Sequence, residues 1–219
     1  MSEDANSKKE SAHELLVKPI LKTAADKCAP WLNDFIPWNG TKGGIPEQNL
    51  SFLFAHAFLQ HHPSGRVFLE AAFDNYGKEG RFDAYLFTEE FAIVLECKQD
   101  IWGNEKLCEI ASDIARMKPE GIKQMQKRHL SATPEKTVRM ILANAWDDEN
   151  EGKGKWWIGN SPDHNKWKRD GLDSRWQYGY LKIYDYPAKE VTKESDRRLL
   201  WLYAIAPDLE QTGCLNENH

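Results

Sequence analysis

Arg81-Phe-Asp-Ala-Tyr-Leu-Phe-Thr-Glu-Glu-Phe-Ala-Ile-Val-Leu-Glu-Cys-Lys98 is the stretch that decides the fold of this chain, because it holds two apolar runs separated by a short polar turn. Residues 92–95 are all apolar, which predicts a strand that is buried on both faces. Because successive strand side chains point to opposite faces, Glu96 and Lys98 share one face while Cys97 points back into the protein. A carboxylate and an ammonium group therefore end a buried strand together.

A second carboxylate stands near the start of the first apolar run. A hairpin that turns near Thr88-Glu-Glu90 would bring Asp83 beside Glu96. Mg²⁺ prefers oxygen ligands and commonly uses one or two carboxylates with water and substrate phosphate, and the Cys97 carbonyl would add another oxygen. Lys98 would then hold or polarise the attacking water, or stabilise charge growing on the phosphate. The pattern predicts a metal-dependent phosphodiester site.

Asp83, Glu96 and Lys98 resemble the motif of the PD-(D/E)xK nuclease superfamily, which has the restriction-endonuclease-like fold. The resemblance covers roughly residues 45–145 and departs from the literal motif at Phe82, where the name has Pro. It implies that Asp83 and Glu96 bind Mg²⁺, for which Mn²⁺ can substitute, and that Lys98 assists catalysis. An ordinary salt bridge at the end of a strand is the alternative interpretation of the three residues.

The chain contains a second copy of the Glu-x-Lys spacing, at Glu151-Gly-Lys153. That copy lies in a hydrophilic stretch, which we interpret as a solvated turn. Only the copy at Glu96 follows an apolar strand with an upstream Asp. We therefore place the site at Glu96.

Two further acids are candidate catalytic residues. Glu70 interrupts the apolar run at residues 66–73, and because an isolated carboxylate is costly to bury, it should face a cation, a partner or water. Glu47 lies in the first turn of a helix predicted over residues 46–59, and the resemblance nominates it as an outer ligand. The alternative for Glu47 is a carboxylate favoured by the helix dipole.

Helical spacing begins again after Lys98, over residues 104–117 and 119–130. Residues 118–139 contain six Lys or Arg side chains and two Glu side chains. Such a helix beside the metal site would follow a phosphate backbone, although a solvated helix face explains the charge equally well. The candidate substrate contacts are Gln124, which the resemblance nominates, and the basic residues Lys123, Lys127 and Arg128.

Residues 137–145 predict a fourth strand. The order helix, three strands, helix, strand is that of the superfamily core, and it predicts an α/β fold with a central mixed sheet flanked by helices. Residues 155–186 interleave aromatic and basic side chains, which can bind nucleic acid or cover a hairpin. We favour packing for Trp157 and Tyr180. Residues 197–206 predict a final strand, so the chain ends in an aromatic-rich β extension of the sheet.

Composition limits the remaining choices. We expect one nuclease-like domain over residues 11–210, beginning with a helix, and disordered segments at residues 1–10 and 211–219. The formal charge of −5 argues against binding nucleic acid by bulk attraction alone, but metal-binding carboxylates raise the acidic count. The four cysteines have no spacing typical of zinc or disulfide frameworks. Without a long apolar segment or a signal peptide, we expect a cytoplasmic protein with no membrane partner.

These observations favour a Mg²⁺-dependent endonuclease that acts on DNA, with a homodimer as a candidate assembly because two sites suit the two strands of a duplex. A non-catalytic module that keeps the nuclease fold and binds nucleic acid or protein is the main alternative. An enzyme that uses the same centre on RNA or nucleotides is a further one.

Overall fold

The computed structural model of the chain describes residues 11–34, 45–75, 78–99, 104–148, 152–159, 172–186 and 197–207. The segments expected to be disordered, residues 1–10 and 211–219, lie outside the described residues, and so does most of the basic part of the aromatic stretch, at residues 160–171. No helix within the described ranges combines the length and the apolar content needed to cross a bilayer.

The described ranges contain five helices and six strands. The helices are α1 (Ala12–Asp34), α2 (Glu47–His61), α3 (Asn104–Arg116), α4 (Pro119–His129) and α5 (Lys153–Trp157). The strands are β1 (Arg66–Asn75), β2 (Lys78–Phe87), β3 (Phe91–Lys98), β4 (Lys136–Asp148), β5 (Gln177–Tyr186) and β6 (Arg197–Ile205).

The strands form one mixed sheet in the order β1-β2-β3-β4-β6-β5. Only the β3–β4 pair is parallel, and the other four pairs are antiparallel. A parallel pair needs a crossover, which α3 and α4 provide between β3 and β4. The expectation of an α/β fold with a mixed sheet flanked by helices is confirmed, and the final strand joins the sheet through β4.

The turn between β2 and β3 sets the register of the hairpin. Thr88 holds this turn, because its hydroxyl accepts hydrogen bonds from the backbone N–H groups of Glu90 and Phe91, both at 3.2 Å. The ladder then pairs Phe87 with Ala92 and continues to Ala84 with Leu95. Asp83 and Glu96 are the next residues beyond this last pair on the two strands.

Strand β3 lies at the centre of the molecule, and every residue from Phe91 to Cys97 is buried. Phe91, Ile93, Leu95 and Cys97 belong to the apolar cluster under α1 and α2. The alternate residues face the other cluster, which contains side chains from α3, α4 and α5. The predicted strand with two buried faces is confirmed, and Cys97 points into the core, where the Ser51 hydroxyl donates to its Sγ at 3.3 Å.

Of the two aromatic side chains for which we favoured packing, Trp157 lies in the core, whereas Tyr180 lies at the surface. The Trp157 indole is fully buried and donates to the Tyr203 carbonyl at 2.8 Å. Tyr180 is 38% exposed, and its ring lies so close to Gly154 that a Cβ there would sit 3.0 Å away.

The interpretation of Lys153 as part of a solvated turn was wrong. Lys153 is only 9% exposed and begins α5, where its backbone N–H donates to Asp147 Oδ1 at 2.9 Å. Its ammonium group donates to the Trp146 carbonyl. Because the tryptophans of α5 pack against the sheet, the lysine at the start of this helix is buried with them. Glu151 lies outside the described residues.

Candidate active site

Asp83 and Glu96 lie at the same end of the β2–β3 hairpin. Because the ladder between β2 and β3 ends with Ala84 paired to Leu95, Asp83 and Glu96 are the next residues on the two strands. Asp83 Oδ2 accepts a hydrogen bond from the Cys97 backbone N–H at 2.5 Å. Burial raises the pKa of the Asp83 carboxyl, and this hydrogen bond and the Lys98 ammonium oppose the rise.

The Glu96 carboxylate is only 2% exposed and is bound by a cation from α3. Arg116 Nη2 donates to Glu96 Oε1 at 2.6 Å, which is a short, charge-assisted hydrogen bond. Burial raises the pKa of Glu96 to about 8, even though Arg116 acts in the opposite direction. Asp83 and Asp113 add to the rise because they are nearby negative charges.

Lys98 is paired with an acid that was not among the predicted site residues. Its Nζ atom lies 2.8 Å from Asp113 Oδ2. Burial alone would lower the pKa of the Lys98 ammonium, but the carboxylates of Asp113, Glu47 and Glu96 together raise it above its ordinary value. Lys98 therefore keeps its proton in this environment.

Helix α3 contributes two site residues that the sequence reading missed. Asp113 Oδ1 is 2.8 Å from Arg116 Nη2, so Lys98, Asp113, Arg116 and Glu96 form a continuous row of alternating charges. A signal for Asp113 was present, since it follows Ile110 by three residues on the apolar face of the helix. A carboxylate at a core position needs a partner, and here it has two.

Glu47 lies beside the end of β3, at the first residue of α2. Its Oε1 atom accepts from the Gln99 backbone N–H at 3.1 Å. The position of α2 is fixed from β4, because Asn144 accepts from the Ile45 N–H at 3.1 Å and donates to the Ile45 carbonyl at 2.8 Å. The place of Glu47 fits both a supporting acid and a carboxylate favoured by the helix dipole.

Glu70 has an unusual backbone conformation in the middle of β1. Its φ of 53° lies in the left-handed region, which costs a non-glycine residue about 1–2 kcal/mol. The pairs on either side, Leu69 with Ala84 and Ala71 with Phe82, place Glu70 opposite Asp83. The side chain is exposed, and its negative charge contributes to the raised pKa of Asp83.

The expected substrate contacts on α4 lie along a different part of the molecule. Lys123, Gln124, Lys127 and Arg128 are all exposed. Lys123 and Lys127 line a cavity at the end of the sheet where β4 begins. Glu96 and Lys98 are at the opposite end of β3, so these two lysines do not share a pocket with the carboxylates.

Asp83 and Glu96 come from neighbouring strands. The hydrogen bonds described above use Asp83 Oδ2 and Glu96 Oε1, and do not involve Asp83 Oδ1 or Glu96 Oε2. No group of three or more His, Cys, Asp or Glu side chains in the described ranges has the arrangement of a metal site. Two carboxylates fit Mg²⁺, which keeps several waters and takes oxygens from its substrate.

Comparison of the chain with protein families, with curated proteins and with solved structures gives no match.

Proposed function

We propose that this protein is a metal-dependent nuclease that hydrolyses phosphodiester bonds, with DNA as the favoured substrate. The observation that carries the proposal is the end of the β2–β3 hairpin, where Asp83 and Glu96 follow the last ladder pair, Ala84 with Leu95, and Lys98 lies two residues after Glu96. The order α2, β1, β2, β3, α3 and α4, then β4 parallel to β3, supports the resemblance to PD-(D/E)xK nucleases.

Asp83 and Glu96 would hold the Mg²⁺ ion, with the Cys97 carbonyl as a further oxygen ligand. A bound Mg²⁺ supplies Lewis-acid polarisation of the phosphate and lowers the pKa of a bound water. The raised pKa of Lys98 favours one of its two expected roles, since an ammonium that keeps its proton stabilises negative charge and is a poor base.

The supporting acids act through position in this mechanism. Glu70 stands opposite Asp83 on the exposed side, where it would hold a water of the metal's hydration shell. Glu47 fixes the chain after Lys98 through its hydrogen bond to the Gln99 N–H. Asp113 and Arg116 position Lys98 and Glu96, because each makes a direct ion pair with one of them.

The first test is cleavage. The purified chain with Mg²⁺ or Mn²⁺ should cut at least one of duplex DNA, single-stranded DNA and RNA. Asp83→Asn and Lys98→Met should each lower the rate by about 100-fold or more, because each removes charge stabilisation from the transition state. The matched control is Glu89→Gln, which neutralises an exposed carboxylate in the β2–β3 turn and should cut normally. Circular dichroism must show that all variants are folded. Cutting that survives both site substitutions would exclude this centre.

A non-catalytic binding module is the second candidate, and the ion pairs favour it. Glu96 is paired with Arg116 and Lys98 with Asp113, which is also how a purely structural cluster would satisfy its charges. Calorimetry with Mn²⁺ separates the two functions. The nuclease proposal requires a binding heat that disappears in Asp83→Asn, whereas a structural cluster gives the same trace for both proteins.

A further inference from the structure

A cavity of about 380 Å³ lies between α4 and the start of β4. Asp83, Glu96 and Lys98 are not among the residues that line it. Lys136 pairs with Phe91 and Arg139 with Val94 across the parallel ladder. These positions are four to seven residues before Lys98, or about 13–23 Å along the strand at 3.3 Å per residue. The cavity is therefore a second site on the same side of the sheet.

The walls of this cavity are strongly cationic in a protein of net charge −5. Two of its cations, Lys123 and Lys127, are one helical turn apart on α4, and the other two, Lys136 and Arg139, come from β4. Glu135 is the one carboxylate among the described lining residues. None of the four cations forms an ion pair with a carboxylate in the part of the chain that the structure describes.

Arg139 is the strongest indication that an anion belongs here. Its side chain is buried, and among the described residues its direct contacts are with neutral groups: Nη1 donates to the Met117 carbonyl at 3.1 Å, and the guanidinium lies 5.7 Å from the Trp176 ring centroid. Burial lowers the pKa of Arg139 and the positive charge of Arg175 adds to the effect, whereas the nearby carboxylates of Asp173 and Glu120 oppose it without forming an ion pair with Arg139 in the described ranges. A buried charge is costly without a counter-ion, so an anionic ligand would relieve this cost.

The remaining lining residues define the class of anion. Thr137 Oγ1 accepts from Gln126 Nε2 at 2.9 Å, so its hydroxyl proton is available for a ligand oxygen. Guanidinium, ammonium and hydroxyl donors together suit the oxygens of a phosphate group. The apolar walls, formed by Pro119, Ile122 and Pro134, suit a less polar moiety, and the volume is within the range of small-ligand sites.

We propose that this cavity binds the phosphate group of a nucleotide, either as a free mononucleotide or as the 5′-phosphorylated end of a nucleic acid strand. The proposal does not depend on the nuclease centre.

Calorimetry on the full chain tests this site. EDTA in the buffer removes divalent metal ions, so binding at Asp83 and Glu96 does not contribute to the signal. The ligands are inorganic phosphate, deoxyadenosine 5′-monophosphate, deoxyadenosine, and a thymidine decamer with and without a 5′-phosphate. Deoxyadenosine monophosphate should bind about tenfold or more tightly than deoxyadenosine, because the charge-assisted contacts go to its phosphate. If the phosphorylated decamer binds and the mononucleotide does not, the source of the phosphate is a strand end.

Substitutions connect the binding to the cavity. The double variant Lys123→Ala/Lys127→Ala changes exposed positions and should fold, and it should weaken binding about tenfold. Arg139→Lys keeps the charge but loses the guanidinium fork, so it should weaken binding as well. Lys155→Ala removes an exposed lysine on α5 and is the matched control.

Asp83→Asn should bind these ligands as the unchanged protein does, which keeps this result separate from the nuclease test. The proposal is overturned if neither the free phosphates nor the phosphorylated decamer binds, or if the double variant and Arg139→Lys both retain full affinity.

Discussion

Asp113 is the acid that joins the two cationic side chains of the candidate site. Its two oxygens lie 2.8 Å from Lys98 Nζ and 2.8 Å from Arg116 Nη2. Removing it would leave Lys98 without this partner inside the protein and would release Arg116 from one of its two carboxylates. Breaking a buried ion pair from one side is far more costly than losing an exposed one, because the remaining charge stays desolvated.

Asp113→Ala should therefore lower the free energy of unfolding by about 3 kcal/mol. The matched control is Glu109→Ala on the same helix. Glu109 forms an ion pair with Lys106 at i,i+3 spacing, and both side chains are exposed. That change should cost less than about 1 kcal/mol. Urea unfolding followed by circular dichroism measures both values. Equal effects for the two variants would show that the Asp113 pairs contribute no more than a surface salt bridge.

The approach of Asp83 to the end of β3 could be predicted because it depends only on strand alternation and one short hairpin. Asp113 and Arg116 could not be assigned to the site in the same way, because their partners are distant in sequence and the approach of α3 to β3 is a tertiary contact. Lys153 was misread for a similar reason, since the packing of the following tryptophans determines its burial.

A buried side chain from β4 holds the backbone just before α2. Asn144 is fully buried and makes hydrogen bonds to both the N–H and the carbonyl of Ile45, just before α2 begins at Glu47. These bonds replace the water that the backbone of Ile45 would otherwise require. Asn144 therefore connects β4 to the start of α2, where Glu47 accepts a hydrogen bond from the chain just after β3.

Asn144→Ala should destabilise the protein by about 2–4 kcal/mol, because it leaves a buried donor and a buried acceptor without partners. Asn49→Ala, at an exposed position in α2, should change stability by less than about 1 kcal/mol. Thermal or urea unfolding gives the comparison. If Glu47 supports catalysis, cleavage by the folded Asn144→Ala protein should also fall, whereas that of Asn49→Ala should not.

Most elements could be recognised from local patterns, because helices and strands leave periodic apolar positions in the sequence. The ends of β3 follow from its apolar run and the charged pair at Glu96 and Lys98, and α2 ends two residues beyond its predicted last residue, 59. The insertion of β6 between β4 and β5 could not be predicted, since pairing between distant strands is determined by packing and has no local signature.

For the whole molecule, the buried Glu96 carboxyl gives stability a specific dependence on pH. Its pKa is about 8 in the folded protein and 4.5 ordinarily, so between these values the folded protein holds a proton that the unfolded chain has released. The free energy of unfolding should therefore fall as pH rises from 4.5 to 8. A buried carboxyl with this shift contributes on the order of 5 kcal/mol to the difference.

Urea unfolding at several pH values, compared between the unchanged protein and Glu96→Gln, isolates this contribution. The glutamine variant cannot ionise and should lose that part of the decline. Mn²⁺ should stabilise the unchanged protein more at pH 8 than at pH 6, because a metal ion binds the carboxylate and competes with its proton. Identical pH profiles for the two proteins would mean that Glu96 ionises in the folded state as it does in the unfolded chain.

The junction between α3 and α4 touches both proposed sites through consecutive residues. Arg116 donates to Glu96, and the carbonyl of Met117 accepts from Arg139, which lines the cationic cavity. An anion that draws Arg139 away from this carbonyl would loosen the residue that follows Arg116. Occupancy of one site would then alter affinity at the other, and thermodynamic linkage requires the effect to be reciprocal and equal in size.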